Sequence, residues 1–355
     1  MGSNAMTFST VSTFPLMTTL LEPMQRIQTE LSQDEVESTT GEYADLGLQL
    51  GVQSGYELSL RNQNDLLQTL TSANSIVSTN LSATQDALNS ISQSAQSALQ
   101  SLAGWQAGSD SGVSLQDQGS NGLQQLISMV NTTSSGQYVF GGQNTGVAPM
   151  AAYSSSSSGM TAIAQAFQST FGMSLSDPNV SSISATALQS FLNGAFANLF
   201  QGASWSGNWS SASSVNSTAQ IAPGQSVEAT TSANQPAVQD LTQAYAMLAA
   251  FGGTSLSEAA QQAVVTTASS LMSAGEANVT STQASVGTVQ QQITEANNMM
   301  SSQMTVLTTQ IGNLDDVDAA QVSTNLESLS TQLQTAYQLT AQLQKLTLAQ
   351  YLPVS

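Results

Sequence analysis

Apolar residues recur at steps of three and four along both ends of this chain. From Leu60 the run is Leu60, Gln63, Leu67, Leu70, Asn74, Val77, Leu81, Thr84, Leu88, Ile91, Ala95, Ala98, Leu102. The far end repeats it with Val286, Val289, Ile293, Met300, Met304, Leu307, Ile311, then Val322, Leu326, Leu329, Leu333, Ala336, Leu343, Leu346. This spacing draws one stripe along a helix, and the stripe needs an apolar partner. The economical arrangement packs the two ends on each other and carries the middle of the chain as an insertion. The expected fold is mainly α: an elongated antiparallel helical rod or coiled coil, a β-hairpin, and a small mixed α/β middle domain.

Local signals divide the chain further. Residues 1–5 read as an expression scar ahead of a start at Met6. A helical tendency runs from Met17 to Val36, and Thr40-Gly41 breaks it. Gly47, Gly51 and Gly55 recur every four residues, either as a flexible loop or as a surface that lets a neighbouring chain approach closely. The long helix over 57–103 would span roughly 65–70 Å and stops at Gly104 and Gly108, since glycine suits the position past a helix end. A second helix is predicted over 115–130. Tyr138, Val139 and Phe140 favour a strand and Gly141-Gly142 a turn, so 136–149 reads as a β-hairpin or extended finger. Pro236 suits a first helical turn, and Val238, Leu241, Tyr245 and Leu248 make the stripe of the next helix. The last two helices should meet near Gly312 to Asp318.

These boundaries give terminal assembly segments at 6–45 with 315–355. A helical body at 46–150 with 236–314 bears the finger, and an inserted domain occupies 151–235. Phe167, Phe171, Phe191, Phe196, Phe200, Trp205 and Trp209 give that insertion enough apolar mass for a small core of its own. Residues 183–200 read as helix, and 205–227 as short strands and turns.

Composition narrows the function classes. The only basic residues are Arg26, Arg61 and Lys345, against 22 acidic ones, for a net charge of -19. Nucleic acid is a poor partner for such a chain, and so is an anionic membrane. Charged residues make up only 7%, so the surface is Ser, Thr, Gln and Asn. Such a surface suits packing against copies of itself, and equally an acidic or salty exterior. Without cysteine or histidine, a disulfide framework is impossible and a structural zinc site effectively so. No basic n-region and apolar h-region mark a cleavable secretory signal.

Catalytic constellations are thin. A nucleophilic triad needs a base, usually His, and a Ser–Lys dyad would have to use Lys345 in a terminal helix. Asp315, Asp316 and Asp318 form the densest acidic cluster. They read better as helix-capping residues than as glycosidase carboxylates or a calcium site. Gln63, Asn74 and Thr84 fall on the long stripe and are either register-setting buried polar groups or solvent-facing.

Four stretches carry a resemblance to the flagellin superfamily, and within it to hook-associated proteins of the hook–filament junction. Thr-Thr-Gly-Glu-Tyr-Ala-Asp-Leu-Gly-Leu-Gln-Leu-Gly at 39–51 resembles the family's N-terminal turn, departing from it with Glu42 where a basic residue is usual. Gly136 to Pro149 is similar to the finger with a Tyr-hydrophobic-Phe-Gly-Gly start, which favours a junction protein over a filament subunit. Ser232-Ala233-Asn234-Gln235-Pro236 before a helix is the third. The end, from Asp315 to Leu352, looks like the flagellin C-terminal signature. Trp205 to Ser210 reads as a subgroup feature.

The resemblance implies an extracellular structural protein of the bacterial flagellum, not an enzyme, with no cofactor or metal. It implies export by the flagellar type III apparatus with a chaperone, and no cleavable signal. The implied partners are flagellin, the hook-side junction protein and copies of itself in a ring. Leu326, Leu329, Leu333, Leu343 and Leu346 are the expected assembly contacts, on a stripe left without a partner until neighbours arrive. Tyr138 and Phe140 are expected to hold the finger in place and shape a contact to the next subunit. Two alternatives stay open: a filament flagellin, and a flagellin-like surface protein that binds sugars on Trp205 and Trp209.

Overall fold

A computed structural model describes the backbone of residues 13–105 and 112–351. Side-chain surroundings are described from residue 21 onward, except at 112–114, 343–344 and beyond 345. In chain order come α1 (Thr13–Thr40), α2 (Leu46–Leu50), α3 (Ser54–Ala103), α4 (Gly112–Val130), β1 (Thr133–Ser134), β2 (Gln137–Tyr138) and α5 (Ser158–Phe171). They are followed by α6 (Ala185–Phe191), α7 (Gly202–Asn208), β3 (Thr218–Ala222), β4 (Gln225–Glu228), α8 (Pro236–Phe251), α9 (Glu258–Asp315) and α10 (Ala319–Tyr351). The chain is mainly α, as its periodicity predicts, with two small antiparallel sheets, β1–β2 and β3–β4. Among the described residues no helix is long and apolar enough to cross a membrane.

The chain forms two compact units, residues up to 66 with 302 onward, and residues 67–301. In the second, α3 and α9 run antiparallel and are tied along their length by side-chain hydrogen bonds that involve no cation. Gln290 Nε2 donates to Ser82 Oγ at 3.3 Å, Gln283 Nε2 to Asn89 Oδ1 at 2.7 Å, and Gln96 Nε2 to Glu276 Oε1 at 3.0 Å. The α3 stripe is buried at Leu67, Leu81, Leu88, Ile91, Ala95, Ala98 and Leu102, facing the seam, with Val286, Ile293 and Met300 buried on α9. Two of the three polar stripe positions are interior. Asn74, with no exposed surface, donates to Asn297 Oδ1 at 2.7 Å and to the Ile221 carbonyl at 2.8 Å. Thr84 is buried and returns its hydroxyl to the Asn80 carbonyl at 2.9 Å. Gln63 is exposed and Asn64 is half-buried beside it. A strict three-four count thus lands one residue off there, because 3.6 residues per turn does not divide the heptad.

The stripe assigned to α8 is only part of what that helix buries. From Ala237 to Phe251 all but Gln239 and Asp240 are buried, including Ala246, Met247, Ala249 and Ala250 on the faces away from the stripe. A helix that is apolar all round belongs inside. Here α4 packs along it, α9 reaches it through Gly275 against Leu241, and α5 and the 197–200 turn touch it near its C-terminal end.

Residues 151–235 differ in detail from the sequence reading. The predicted 183–200 helix changes hydrogen-bond period twice: α6 gives way to a π turn at 192–196 and a 3-10 turn at 197–200. Trp205 lies on α7 and not on a strand, and the paired strands of this region are β3 and β4 at 218–228, with single bridges at Ser210 and Ser232. The aromatics do cluster, with Phe167, Phe191 and Phe196 at ring-centroid distances of 5.8, 6.1 and 5.7 Å from Phe251. Phe251 comes from α8, so the core of this region is shared with the helical body.

Candidate assembly site

In the unit that holds the chain ends, α1 and α10 lie against each other. The half-buried positions on α10 are Leu326, Leu329, Leu333, Ala336 and Thr340, with Val322 buried at their head. On α1 they are Met24, Ile27, Leu31, Asp34 and Glu37. Both sets follow the three-four heptad step of a coiled-coil seam. Gln28 Nε2 donates to Tyr337 Oη at 2.9 Å, and Thr340 Oγ1 lies 3.7 Å from Met24 Sδ, fixing an antiparallel order. The stripe expected to wait for neighbouring subunits therefore meets α1 of its own chain. The pair still covers little. Apart from Val322, none of the α10 seam positions is fully buried, and Leu21, Val36, Tyr337 and Leu339 stand about half exposed on the outer faces. The side chains of Leu343 and Leu346 lie outside the described residues. Lys345 is exposed.

Asp34, on the α1 seam, has its pKa raised, first by burial and then by Glu37 and Glu30. The folded carboxyl thus holds its proton more tightly than the unfolded one. Its contribution to pairing is fully present in acid and is lost as the pH rises through the window above 3.8.

The turns that end this pair are bound side by side. Tyr43 N donates to the Asp315 carbonyl and Val317 N to the Gly41 carbonyl, both at 2.9 Å. Asp318 caps α10, accepting from Ala320 N at 2.9 Å, the role its position suggests. Asp315 does something else. Its carboxylate is 1% exposed and pairs with Arg61 of α3, which also holds the buried Glu57 one turn earlier. Arg61's pKa is raised, chiefly by the hydrogen bond with Glu57, against the opposing effect of burial and with help from Asp315. Among the described residues no three acidic side chains converge as a metal cage.

Removing one partner of a buried pair leaves a charge without compensation, which costs about 3–5 kcal/mol in a closed site. Arg61's side chain is 41% exposed, so water offsets part of that, and Arg61→Met is expected to cost about 2 kcal/mol. Hydrogen exchange at Tyr43 N–H reads the loss directly. Arg61→Met/Asp315→Asn should recover a good part of it, and a double variant no better than the single one would refute the assignment.

The finger belongs to the other unit. Thr133 pairs with Tyr138 and Ser134 with Gln137, around Ser135 and Gly136 at φ of 52° and 78°, the shape of a type I′ turn. The hairpin thus precedes the two glycines. Gly141-Gly142 makes a second turn, closed by Asn144 N to the Gly141 carbonyl at 3.0 Å. Gly142 has φ of 61°, and a Cβ there would sit 2.4 Å from the Ser213 carbonyl oxygen, so no larger residue fits. Beyond the turns the finger is stitched down on both sides. Gly142 N donates to the Thr231 carbonyl at 2.9 Å, Gln143 N to the Val215 carbonyl at 2.9 Å, and Ala233 N to the Phe140 carbonyl at 2.8 Å.

Phe140 is 1% exposed, so its ring anchors the finger from inside and cannot itself reach a neighbour. Tyr138 is half-buried and keeps a free edge. Asn131 grips the finger's base, donating to the Met150 carbonyl and accepting from Met150 N, both at 2.9 Å. Asn234 is a hub that sequence reasoning missed. Its Oδ1 accepts from Trp205 Nε1 at 2.7 Å and Ser210 Oγ at 2.6 Å, and its Nδ2 donates to the Ala212 carbonyl at 2.9 Å. The two stretches singled out separately at 205–210 and 232–236 are one network. Trp205 and Trp209 are 2% and 3% exposed, which removes them as a sugar-stacking surface.

Two family models match the chain: the bacterial flagellin N-terminal helical region over residues 11–145, and the bacterial flagellin C-terminal helical region over residues 260–352. Among solved structures, one assigned as a flagellar hook-associated protein of Vibrio parahaemolyticus shares the fold at TM-score 0.50 and 14% identity, over 74% of this chain and 97% of that one. No curated protein matches the chain.

Proposed function

Because this chain belongs to the flagellin superfamily, a family of structural proteins and not of enzymes, we propose that it is the hook–filament junction protein of a bacterial flagellum. In this reading it leaves the cell through the flagellar type III apparatus with a chaperone, and forms a ring of copies between the hook-side junction protein and the first layer of flagellin. The observation that carries an assembly role is the α1–α10 pair. A two-helix seam at heptad spacing whose leucines stay half-exposed, with Leu21, Val36, Tyr337 and Leu339 on its outer faces, has apolar surface left for further helices. Burial against neighbours would offset the entropy of holding two helices in one register. Leu326, Leu329 and Leu333 are the described residues assigned to that contact. Tyr138, held at the edge of a finger that Phe140 anchors, is assigned to the contact between body units. The hook-associated description of the structural relative and the Gly136 to Pro149 finger favour a junction role over a filament one.

Deleting the gene tests the reading. A junction protein's loss leaves intact hooks and flagellin shed into the medium, whereas a filament subunit's loss leaves no flagellin to shed. Complementation with Leu326→Ser/Leu329→Ser/Leu333→Ser is expected to give a protein that is secreted but not retained on hooks. Retention at the wild-type level would sink the assembly role of that stripe.

A further inference from the structure

Arg26, Arg61 and Lys345 all fall outside residues 67–301. The unit built from that segment therefore contains no lysine, arginine or histidine, and no carboxylate in it can pair with a cation of its own. Its described acidic groups are Asp86 on α3, Asp117 on α4, Asp240 on α8, and Glu258, Glu276 and Glu295 on α9, with Asp177 and Glu228 between helices; Asp110 lies outside the described residues. The partners of these carboxylates are neutral. Asp240 accepts from Asn278 Nδ2 at 3.0 Å, Glu276 from Gln96 Nε2 at 3.0 Å, Glu228 from Asn216 Nδ2 at 2.9 Å, and Glu295 from Gln291 Nε2 at 2.9 Å. Asp177 accepts from the backbone of Asn179 at 2.8 Å.

We infer that this unit is built to stay folded in acid. Acid denaturation has three ordinary causes: carboxylates that are paired or hydrogen-bonded in the folded state must take up protons, buried histidines are forced to charge, and the protonated chain repels itself through its lysines and arginines. The first is reduced to the hydrogen bonds these carboxylates accept from neutral groups, since the unit has no ion pair of its own. The second is missing because there is no histidine. The third is missing because a protonated unit is nearly uncharged, where an average domain with about 25% charged residues carries dozens of cations. Protonation here weakens those few neutral hydrogen bonds and removes the mutual repulsion of the acidic groups.

Among the described carboxyls of this unit, the one that is shifted agrees in sign. Burial raises the pKa of Asp240 above its ordinary 3.8, against the hydrogen bond from Asn278. The folded state then binds the proton more tightly, so its contribution is present in acid and lost as the pH rises through the window above 3.8. Tyr245, the buried phenol of α8, has its pKa raised by burial and stays neutral throughout. A salt-adapted surface is the competing account of an acidic composition. It calls for dense carboxylates, and this chain has 22 in 355 residues.

All three tryptophans lie in this unit, so tryptophan emission of the full-length protein reports on it alone. Thermal melts followed by emission, from pH 7 down to about pH 2.5, are expected to show a midpoint in acid equal to that at pH 7 or a few degrees above it. An acid transition exposing the tryptophans above about pH 3 would overturn the inference, and so would a fold that needs molar potassium chloride at pH 7 and fails in acid. Cations placed on exposed helix positions, Gln68→Lys/Ser75→Lys/Gln100→Lys/Ser270→Lys, should leave the melt at pH 7 nearly unchanged and lower the acid midpoint. An acid midpoint as high as that of the unsubstituted chain would show that the missing cations are not the cause.

Discussion

Phe251→Ala is expected to destabilise the 67–301 unit by about 3–5 kcal/mol. Phe251 closes α8 and is 1% exposed. Rings from three separate elements, Phe167 on α5, Phe191 on α6 and Phe196 on the π turn, lean on it within 6.1 Å. Truncation removes the contact face of all three and leaves a cavity that α8, packed on its other sides, cannot collapse to fill. Urea unfolding followed by tryptophan emission and far-ultraviolet circular dichroism distinguishes two outcomes. If the region after α5 is part of one cooperative core, the midpoint falls and both signals still move together. An early transition seen by Trp209, which stacks on Phe200 at 5.2 Å, with helicity retained, would instead mark that region as a separable module. Phe171→Ala removes a half-exposed ring whose aromatic neighbours are Phe167 and Phe191, and should cost clearly less.

Gly119→Val should cost about 3 kcal/mol, or roughly 6–12 °C in the melting temperature of a unit this size. A Cβ on Gly119 would lie 2.3 Å from the backbone nitrogen of Ala249, and one on Gly122 2.3 Å from the ring of Tyr245. The axes of α4 and α8 can approach as they do only because this face of α4 has no side chains there. Neither blocking atom is the end of a flexible group, so the helices must separate. In an unobstructed helix the exchange of glycine for alanine runs the other way, by about 0.5–1 kcal/mol. Gly287, inside α9 with nothing within 4 Å of its missing Cβ, supplies that comparison, and Gly287→Ala is expected to stabilise. Should Gly119→Ala stabilise as well, the close approach of α4 and α8 is wrong.

How much of this was readable beforehand follows the physics of each signal. The seams of α3, α9 and α10 were legible because one face of a long helix imposes a period that survives single exceptions. Only Gln63 slipped, where counting by heptads drifts from the true turn. The ends of α8 were legible from Pro236 and Gly252-Gly253, and the end of α9 from the break at Gly312 to Asp318. The centrality of α8 was not, since alanines such as Ala246, Ala249 and Ala250 carry little signal in a pattern read by large residues. The finger's tight hairpin is formed by Ser135 and Gly136, and a serine gives no sequence signal for the positive φ this turn requires. Asn234 could not have been found by period at all. Its partners Trp205, Ser210 and Ala212 lie more than twenty residues away, and one asparagine among many in a Ser- and Asn-rich chain does not stand out. The seam of α1 carries a weaker signal than that of α10, because the Met24, Ile27, Leu31 stripe is short and runs into Asp34 and Glu37, so its apolar character fades midway.

Where the three basic residues sit has a further consequence, for proteolysis. Trypsin cuts after lysine and arginine, so its only sites follow Arg26, Arg61 and Lys345. Arg61 is held by Glu57 and Asp315 within a helix, a poor conformation for a protease that needs extended chain. A trypsin-like enzyme outside the cell can trim the terminal helices, which are assigned to assembly, yet it finds no bond to cut anywhere in residues 62–344. Digestion at Arg26 and Lys345 would take off the outer ends of α1 and α10 and leave Leu326, Leu329 and Leu333 in place, so the trimmed protein reads how much of the proposed assembly contact the rest of the seam carries.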